Sequence, residues 1–487
     1  MTRDPRPVTN HVDVLIVGAG LSGIGAAAQL TREHPGRSFA ILEKRGVSGG
    51  TWDLFRYPGV RSDSDMFTLG YRFKPWTDER SLADGPSILA YVRETATEHG
   101  LDDHIHYDHD VTSASWDSGS ARWTVTITTP TGSQEWTTDL LWMCSGYYDY
   151  DEGFTPDFAG LGEFTGQVVH PQHWPADLDH AGKKVVVIGS GATAVTLVPA
   201  LAASGAEHVT MLQRTPTYVL SVPSVDKLAV GLRRALGPKA SHVANRWRNI
   251  TVSTALYQFS QRRPAAARKL IRRLNTSLLP AGYDVDTHFN PPYDPWDQRM
   301  CLVPDSDLFN EIRRGRASVV TDAIDTFTPT GIRLASGEEL EADVVVTATG
   351  LNLLAFGGIA LTVDGAPVDV ADTMAYKALM LSGVPNFVFT IGYTNASWTL
   401  KADLVAEFVC RLLSHLDKTG RRYAVARPDP AVRPMPFMDF TAGYVLRALD
   451  RLPKQGDVEP WQLKQNYVYD MLKIRRAPID DGVLGFG

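Results

Sequence analysis

The sequence predicts an α/β fold with two Rossmann-like domains and a helical insertion in the second of them. Three observations predict it. A short β-branched strand runs into a glycine-patterned turn and then a helix at two places in the chain. Two later apolar strands, in "DLLWMCSGYY" (139–148) and "ADVVVTATGLN" (342–352), end in Ser-Gly and Thr-Gly. A stretch rich in Lys and Arg and free of acids then interrupts the second unit.

The first unit opens with "VDVLIV" (12–17), a β-branched run that reads as a buried strand. It leads into "GAGLSG", with Gly18, Gly20 and Gly23, and then a helix of small residues, "IGAAAQLTREH". In this setting Gly18 makes the tight turn, Gly20 lets the backbone approach a pyrophosphate, and Gly23 permits close helix–strand packing. Ser22 offers a hydroxyl in the same turn, and the helix N-terminus presents free N–H groups to the phosphates. The second strand, "SFAILEK", ends at Glu43, placed to accept from ribose hydroxyls.

The second unit is "KKVVVIGSGATAV", a strand at 185–188 followed by Gly189, Ser190, Gly191, Ala192, Thr193, Ala194 and Val195. Its next strand, "HVTMLQRTPTY", carries Arg214 and Thr215 where the first unit has an acid. A carboxylate there would repel a 2′-phosphate, whereas Arg214 pairs with one and Thr215 donates to it. The first site therefore suits FAD or NAD and the second suits NADPH. Two such sites in one chain imply hydride transfer between nucleotides, and NADPH reducing a tightly held FAD is the economical pairing. The segment "FVFTIGYTNASWTLKADLVAEFVCRLL" reads as strand, loop and amphipathic helix, with Trp398 near the flavin.

The expected organisation is an FAD-binding domain from residues 1–150 and 346–487. The NADPH-binding domain comes from 151–216 and 291–345, and a basic helical insertion occupies 217–290. A length of 487 residues suggests about two or three domains. From Lys227 to Gly282 there are twelve Lys or Arg and no Asp or Glu, so the formal charge of −7 leaves −19 on the remainder. Two readings stay open for these helices. One is peripheral contact with the inner face of an anionic membrane through 227–282, or attraction of NADPH. The other is a subdomain whose charges are solvated or pack on the acidic remainder, and it is the favoured one. No nucleic-acid-binding module is present, so no nucleic-acid partner is expected.

The three cysteines, Cys144, Cys301 and Cys410, form no C-x-x-C pair, which excludes a redox dithiol and argues against a cysteine zinc site. Their usage fits a reducing compartment, the cytoplasm. "MTRDPRPVTNHVD" has no apolar core, so no signal peptide is expected, and no apolar run reaches the ~18 residues of a membrane span. His170 and His173, in "FTGQVVHPQHWP" (164–175), have metal-ligand spacing, but no acid or Cys lies among these residues and no metal is expected.

"GGTWDLFRYPGVRSDSD" (49–65), "FTGQVVHPQHWP", "IGSGATAV" and "NPPYDPWDQRMCLVPDSDLF" together resemble the class B flavin-dependent monooxygenases, Baeyer–Villiger type. The fingerprint F-x-G-x-x-x-H-x-x-x-W-P falls on Phe164, Gly166, His170, Trp174 and Pro175. The resemblance covers nearly the whole chain and is nearest the ethionamide-activating subgroup. It implies an NADPH- and O2-dependent oxygenation through a flavin C4a-peroxide, converting ketones to esters or lactones, with sulfoxidation alongside. It implies Arg299 as the cationic donor to developing anions, with Asp63 orienting it. It carries Thr51, Trp52, Asp53, Leu54, Arg61, Ser62 and Asp63 to the cofactor, and Val111 to adenine. Read alone, Asp63 would instead cap the helix "SDMFTLGYRF". Two other activities stay open: N- or S-oxygenation without ketone activity, and an uncoupled NADPH oxidase. Neither the physiological substrate nor the oligomeric state is legible. The histidine fingerprint precedes the second glycine strand, so His170 is expected to fix the crossing between domains.

Overall fold

The computed structural model describes residues 10–438 and 440–487; most of the N-terminal stretch without an apolar core therefore lies outside the described residues. The strand Asn10–Val17 lies inside the first sheet, parallel to Phe39–Leu42 on one side and to Gly132–Met143 on the other. Val14, Leu15 and Ile16 are fully buried, as a two-faced parallel strand requires. Ala26, Ala27 and Ala28 on the helix Leu21–Glu33 let it approach the helix Trp398–Thr419 closely. At Gly25 a Cβ would sit 2.5 Å from the Tyr71 ring.

An antiparallel meander, Asp110–Asp117, Arg122–Thr129 and Gly132–Met143, extends this sheet and buries Trp116 and Trp123. The third of these strands is long enough to change partner midway. Its first half pairs with Arg122–Thr129, and its end pairs in parallel with Phe387–Phe389. Residues far apart in sequence thus complete one sheet. The strand, loop and helix expected after residue 386 appear as Phe387–Phe389 and Trp398–Thr419.

The second sheet has five parallel strands in the order Ala317–Thr321, His208–Gln213, Lys184–Ile188, Val344–Thr347, Gln167–Val169. Two segments connect the sheets. Tyr148–Gly153 leaves the first and Leu351–Leu353 returns to it, and the two pair with each other antiparallel. His170 sits against this ribbon. Its Nδ1 accepts from the Gln172 N–H at 3.2 Å, so Nε2 carries the proton and donates to the Gly350 carbonyl at 3.3 Å. A Cβ at Gly153 would lie 2.0 Å from the His170 ring, so only glycine fits there. Burial holds the His170 pKa below its ordinary value, in keeping with the neutral tautomer. Phe164 packs under the second sheet with Phe327, and Trp174 packs with the other face's core.

The inserted helices are Lys227–Arg262 and Pro264–Leu278. The first is broken at Gly237 (φ 74°), just before Pro238, as the Gly-Pro pair anticipates. Val219–Val222, which the sequence reading placed within the insertion, is instead a strand paired in parallel with Cys301–Pro304. Arg246 ties the insertion to the rest of the chain through Asp403, while Arg248 and Arg272 pair with Asp226 and Asp286 within it. Among the described residues no helix is long and apolar enough to cross a membrane.

Candidate functional site

The first glycine turn and the first turn of the helix Ala192–Ala203 open onto one cleft of about 350 Å³. Gly18 (φ 104°) donates its N–H to the Leu42 carbonyl at 2.7 Å, and a Cβ there would lie 2.6 Å from the Cys144 carbonyl oxygen. At Gly23 a Cβ would lie 1.8 Å from the Gly18 oxygen. Gly20 packs against Gly50, so the turn and the 49–50 loop form one backbone cradle.

The helices Leu21–Glu33 and Ala192–Ala203 both begin without a side-chain cap, and Leu21, Ser22, Ala192 and Thr193 line the cleft. Two helix N-termini with open N–H groups face one space, which is the donor set that pyrophosphates take. The Ser145 hydroxyl, also on the lining, is buried without a partner among the described residues. These residues fit two dinucleotides.

Glu43 is buried, which raises its pKa, and it anchors the turn by accepting from the Ala19 N–H at 2.7 Å and the Arg45 N–H at 3.0 Å. It also lines the cleft and keeps free lone pairs for ribose hydroxyls. Val111 lies near the start of the strand Asp110–Asp117 and lines the same end. The short helix Thr51–Leu54 sends Thr51 and Trp52 to the cleft, with Thr51 Oγ1 3.0 Å from the Tyr150 hydroxyl.

Asp53 and Leu54 do not line the cleft. Asp53 turns into a cluster of Arg45, Arg56 and Arg93, at 2.5, 3.2 and 2.9 Å. Its burial would raise its pKa, but the arginines outweigh that and hold it below the ordinary value. Its role in this geometry is to pin the Gly49–Gly50 loop, through Arg45, whose guanidinium also reaches the Gly50 carbonyl.

Arg61, Ser62 and Asp63 all line the cleft. Arg61 pairs with Asp307 at 2.6 Å, and Ser62 closes a turn onto Ser64. Asp63 does not cap the following helix; Asp65 does, accepting from the Thr68 N–H at 3.1 Å. Asp63 is thereby free to take Arg299 bidentately, Nε at 2.7 Å and Nη2 at 2.9 Å. Asp63 stabilises the charged guanidinium and raises the Arg299 pKa. The third nitrogen, Nη1, makes no hydrogen bond among the described residues and remains as a donor to the cleft.

Trp398 closes the site from the C-terminal part. Its Nε1 donates to Ser22 Oγ at 2.7 Å, and its ring stacks on Tyr147 at 5.2 Å with an 8° tilt. The tyrosines following "CSG" are functional lining that sequence reasoning did not single out. Tyr147 and Tyr148 sit hydroxyl to hydroxyl at 3.0 Å, and burial keeps the Tyr147 phenol protonated by raising its pKa well above 10. The signal available was the aromatic run directly at a sheet strand's C-terminal end, where α/β proteins bind ligands.

On the second sheet, Gly189 (φ 134°) closes against Ala348, where a Cβ would meet the carbonyl oxygen at 2.3 Å. Ser190 Oγ donates to the Thr215 carbonyl at 2.9 Å, tying the glycine turn to the strand end that carries Arg214. Gly189, Ser190, Gly191, Ala194, Arg214 and Thr215 do not line the cleft itself, while Ala192, Thr193 and Val195 do. Arg214 is exposed and has no ion pair among the described residues. Among the described residues one group has metal-ligating spacing, His11, Asp13 and Asp139 on the first sheet, and neither His170 nor His173 belongs to it.

This fold and cleft define a protein with two dinucleotide sites facing a common reaction space. The Flavin-binding monooxygenase-like family matches residues 78–231, and the NAD(P)-binding Rossmann-like domain matches residues 16–75. The FAD-containing monooxygenase EthA of Mycobacterium tuberculosis (strain ATCC 25618 / H37Rv) is 57% identical over 480 residues, 98% of each chain. The probable FAD-binding monooxygenase AlmA of Acinetobacter baylyi (strain ATCC 33305 / BD413 / ADP1) is 49% identical over 98% of this chain and 96% of its own. Among solved structures, an oxidized steroid monooxygenase bound to NADP superposes with a TM-score of 0.72 at 24% identity, over 86% of this chain and 88% of that one. An open cyclohexanone monooxygenase superposes with a TM-score of 0.73 at 22% identity, over 87% and 90%. The chain belongs to the EthA-like family of FAD-containing monooxygenases.

Proposed function

We propose that the chain is an NADPH- and O2-dependent Baeyer–Villiger monooxygenase that converts ketones to esters or lactones and also oxygenates sulfides. The observation that carries this reading is the Arg299–Asp63 pair on the lining of the cleft that the first glycine turn shares with the start of the helix Ala192–Ala203. FAD, when bound and reduced by NADPH, supplies the activation of O2.

The residues do the rest. The helix N-termini at Leu21 and Ala192 hold the two pyrophosphates. Glu43 accepts from the flavin nucleotide's ribose, and Arg214 with Thr215 takes the 2′-phosphate of NADPH. Val111 meets adenine, and Thr51 and Trp52 lie along the flavin. Arg299 stays cationic beside Asp63, and its free Nη1 donates to the negative charge that develops on a carbonyl oxygen during oxygen insertion. Trp398, Tyr147 and Tyr148 wall the space and exclude water. A sulfide develops less negative charge on the acceptor, so the same site oxygenates it with less dependence on Arg299.

Purified Arg299→Ala tests this directly. It should keep its FAD and lose ester or lactone formation. Ketone oxygenation at the wild-type rate would end the assignment.

A further inference from the structure

The basic helices that interrupt the second unit touch the two chain segments that carry Asp63 and Arg299, through separate contacts. On the Asp63 side, Asn249 Nδ2 donates to Asp65 Oδ1 at 2.7 Å, two residues from Asp63. Asp65 caps the four-residue helix Met66–Leu69, which is too short to hold itself in place. The far end of that helix is closed by Arg246, which is almost fully buried. Its Nη1 donates to the carbonyls of Phe67, Thr68 and Gly70 at 3.1, 3.3 and 2.7 Å, and its Nη2 donates to Asp403 at 2.6 Å. Asp403 lies on the helix that starts at Trp398. One guanidinium therefore joins the inserted helix, the Asp63 segment and the helix that walls the cleft.

On the Arg299 side, the Tyr257 ring packs edge-on against Trp296 at 5.6 Å, three residues before Arg299. Trp296 has a φ of 79°, a left-handed conformation that a bulky residue adopts only when its surroundings hold it there. The second inserted helix adds Ile271, buried with Met300, the neighbour of Arg299. Arg268 donates to Asn290 at 3.0 Å and to the Pro291 carbonyl at the start of the same loop.

We infer that the inserted helices are a bracket that sets the Arg299–Asp63 geometry, with Arg246, Asn249 and Tyr257 as positioning residues. This rests on the site role proposed for that pair. The insertion lies outside both nucleotide folds, yet its one straight segment from Arg246 to Tyr257 reaches the two chain segments that must meet. A loop and a four-residue helix have no rigidity of their own, and small misplacements of a reacting group cost much of its effect.

The test uses the FAD-loaded enzyme and three variants: Asn249→Ala, Tyr257→Leu, and the pair Arg246→Met with Asp403→Leu. The last removes both charges together, so that no buried charge is left unpaired. Product formed per NADPH consumed should fall about three- to tenfold in each, with the KM for NADPH and FAD retention unchanged. Amide hydrogen exchange should quicken in residues 61–70 for Asn249→Ala and in 290–300 for Tyr257→Leu. A residue that merely stabilises the fold would lower the melting temperature and leave coupling and those two segments untouched. Wild-type coupling and exchange in all three, beside an Arg299→Ala that has lost oxygenation, overturns the bracket and leaves the site assignment standing. Wild-type oxygenation in Arg299→Ala overturns the site assignment itself.

Discussion

A double-mutant cycle on Arg299 and Asp63 tests how the pair works. Removing one positioned donor to a developing oxyanion costs about 10²- to 10³-fold in rate. That is the loss expected in ketone oxygenation for Arg299→Ala, read as ester formed per second at saturating NADPH. Asp63 acts only through Arg299. It contributes two charge-assisted bonds of 2.7 and 2.9 Å, in a pair whose side chains are 37% and 21% exposed. Partial solvent screening limits such a pair to about 1 kcal/mol, or roughly five- to tenfold in rate. Asp63→Ala should therefore lose about five- to tenfold. Added to Arg299→Ala it should lose nothing more, because the group it orients is gone. Independent, multiplicative losses would refute the orienting role. They would mean that Asp63 meets substrate or flavin directly.

Gly18→Ala should give a protein that purifies without FAD, since the new Cβ meets the Cys144 carbonyl at 2.6 Å in a backbone conformation that disfavours side chains; the flavin absorbance reads this. Arg214→Ala should raise the KM for NADPH by about 10- to 100-fold, the worth of charge-assisted bonds to a phosphate, and leave the KM for NADH unchanged in steady-state assays. His170→Ala should retain FAD and impair NADPH-driven oxygenation, because the ring ties the crossing ribbon at Gly350 and Gly153. The same histidine has a pH signature. Burial depresses its folded pKa, so it stabilises the fold above the unfolded value of about 6.5, and that stability is lost as pH falls through the depressed folded value. Melting temperatures measured from neutral pH downward should therefore decline more steeply in wild type than in His170→Ala.

The two glycine units were legible because their geometry is local. Gly18 and Gly189 must take positive φ, and each strand, turn and helix is contiguous in sequence. Arg299 and Asp63 lie 236 residues apart, and only the family resemblance paired them; nothing in composition or spacing does so. The resemblance also carried Asp53 and Leu54 to the cofactor along with Thr51 and Trp52. A four-residue helix, however, points successive side chains in different directions, and Asp53 faces the arginines. The sequence reading placed strand Val219–Val222 in the insertion because its pairing with Cys301–Pro304 spans the inserted helices and leaves no local trace. The charge of the insertion suggested a surface role, while Arg246 and Asn249 spend their donors on the segment behind Asp63.

Incubating the wild-type enzyme with NADPH, O2 and a panel of cyclic and linear ketones and aryl sulfides, while following NADPH loss, products and hydrogen peroxide together, tests the central claim most directly. Esters or lactones with one oxygen atom inserted per NADPH consumed are expected, and sulfoxides from the sulfides. Hydrogen peroxide as the sole product, or sulfoxides with every ketone left intact, would contradict it.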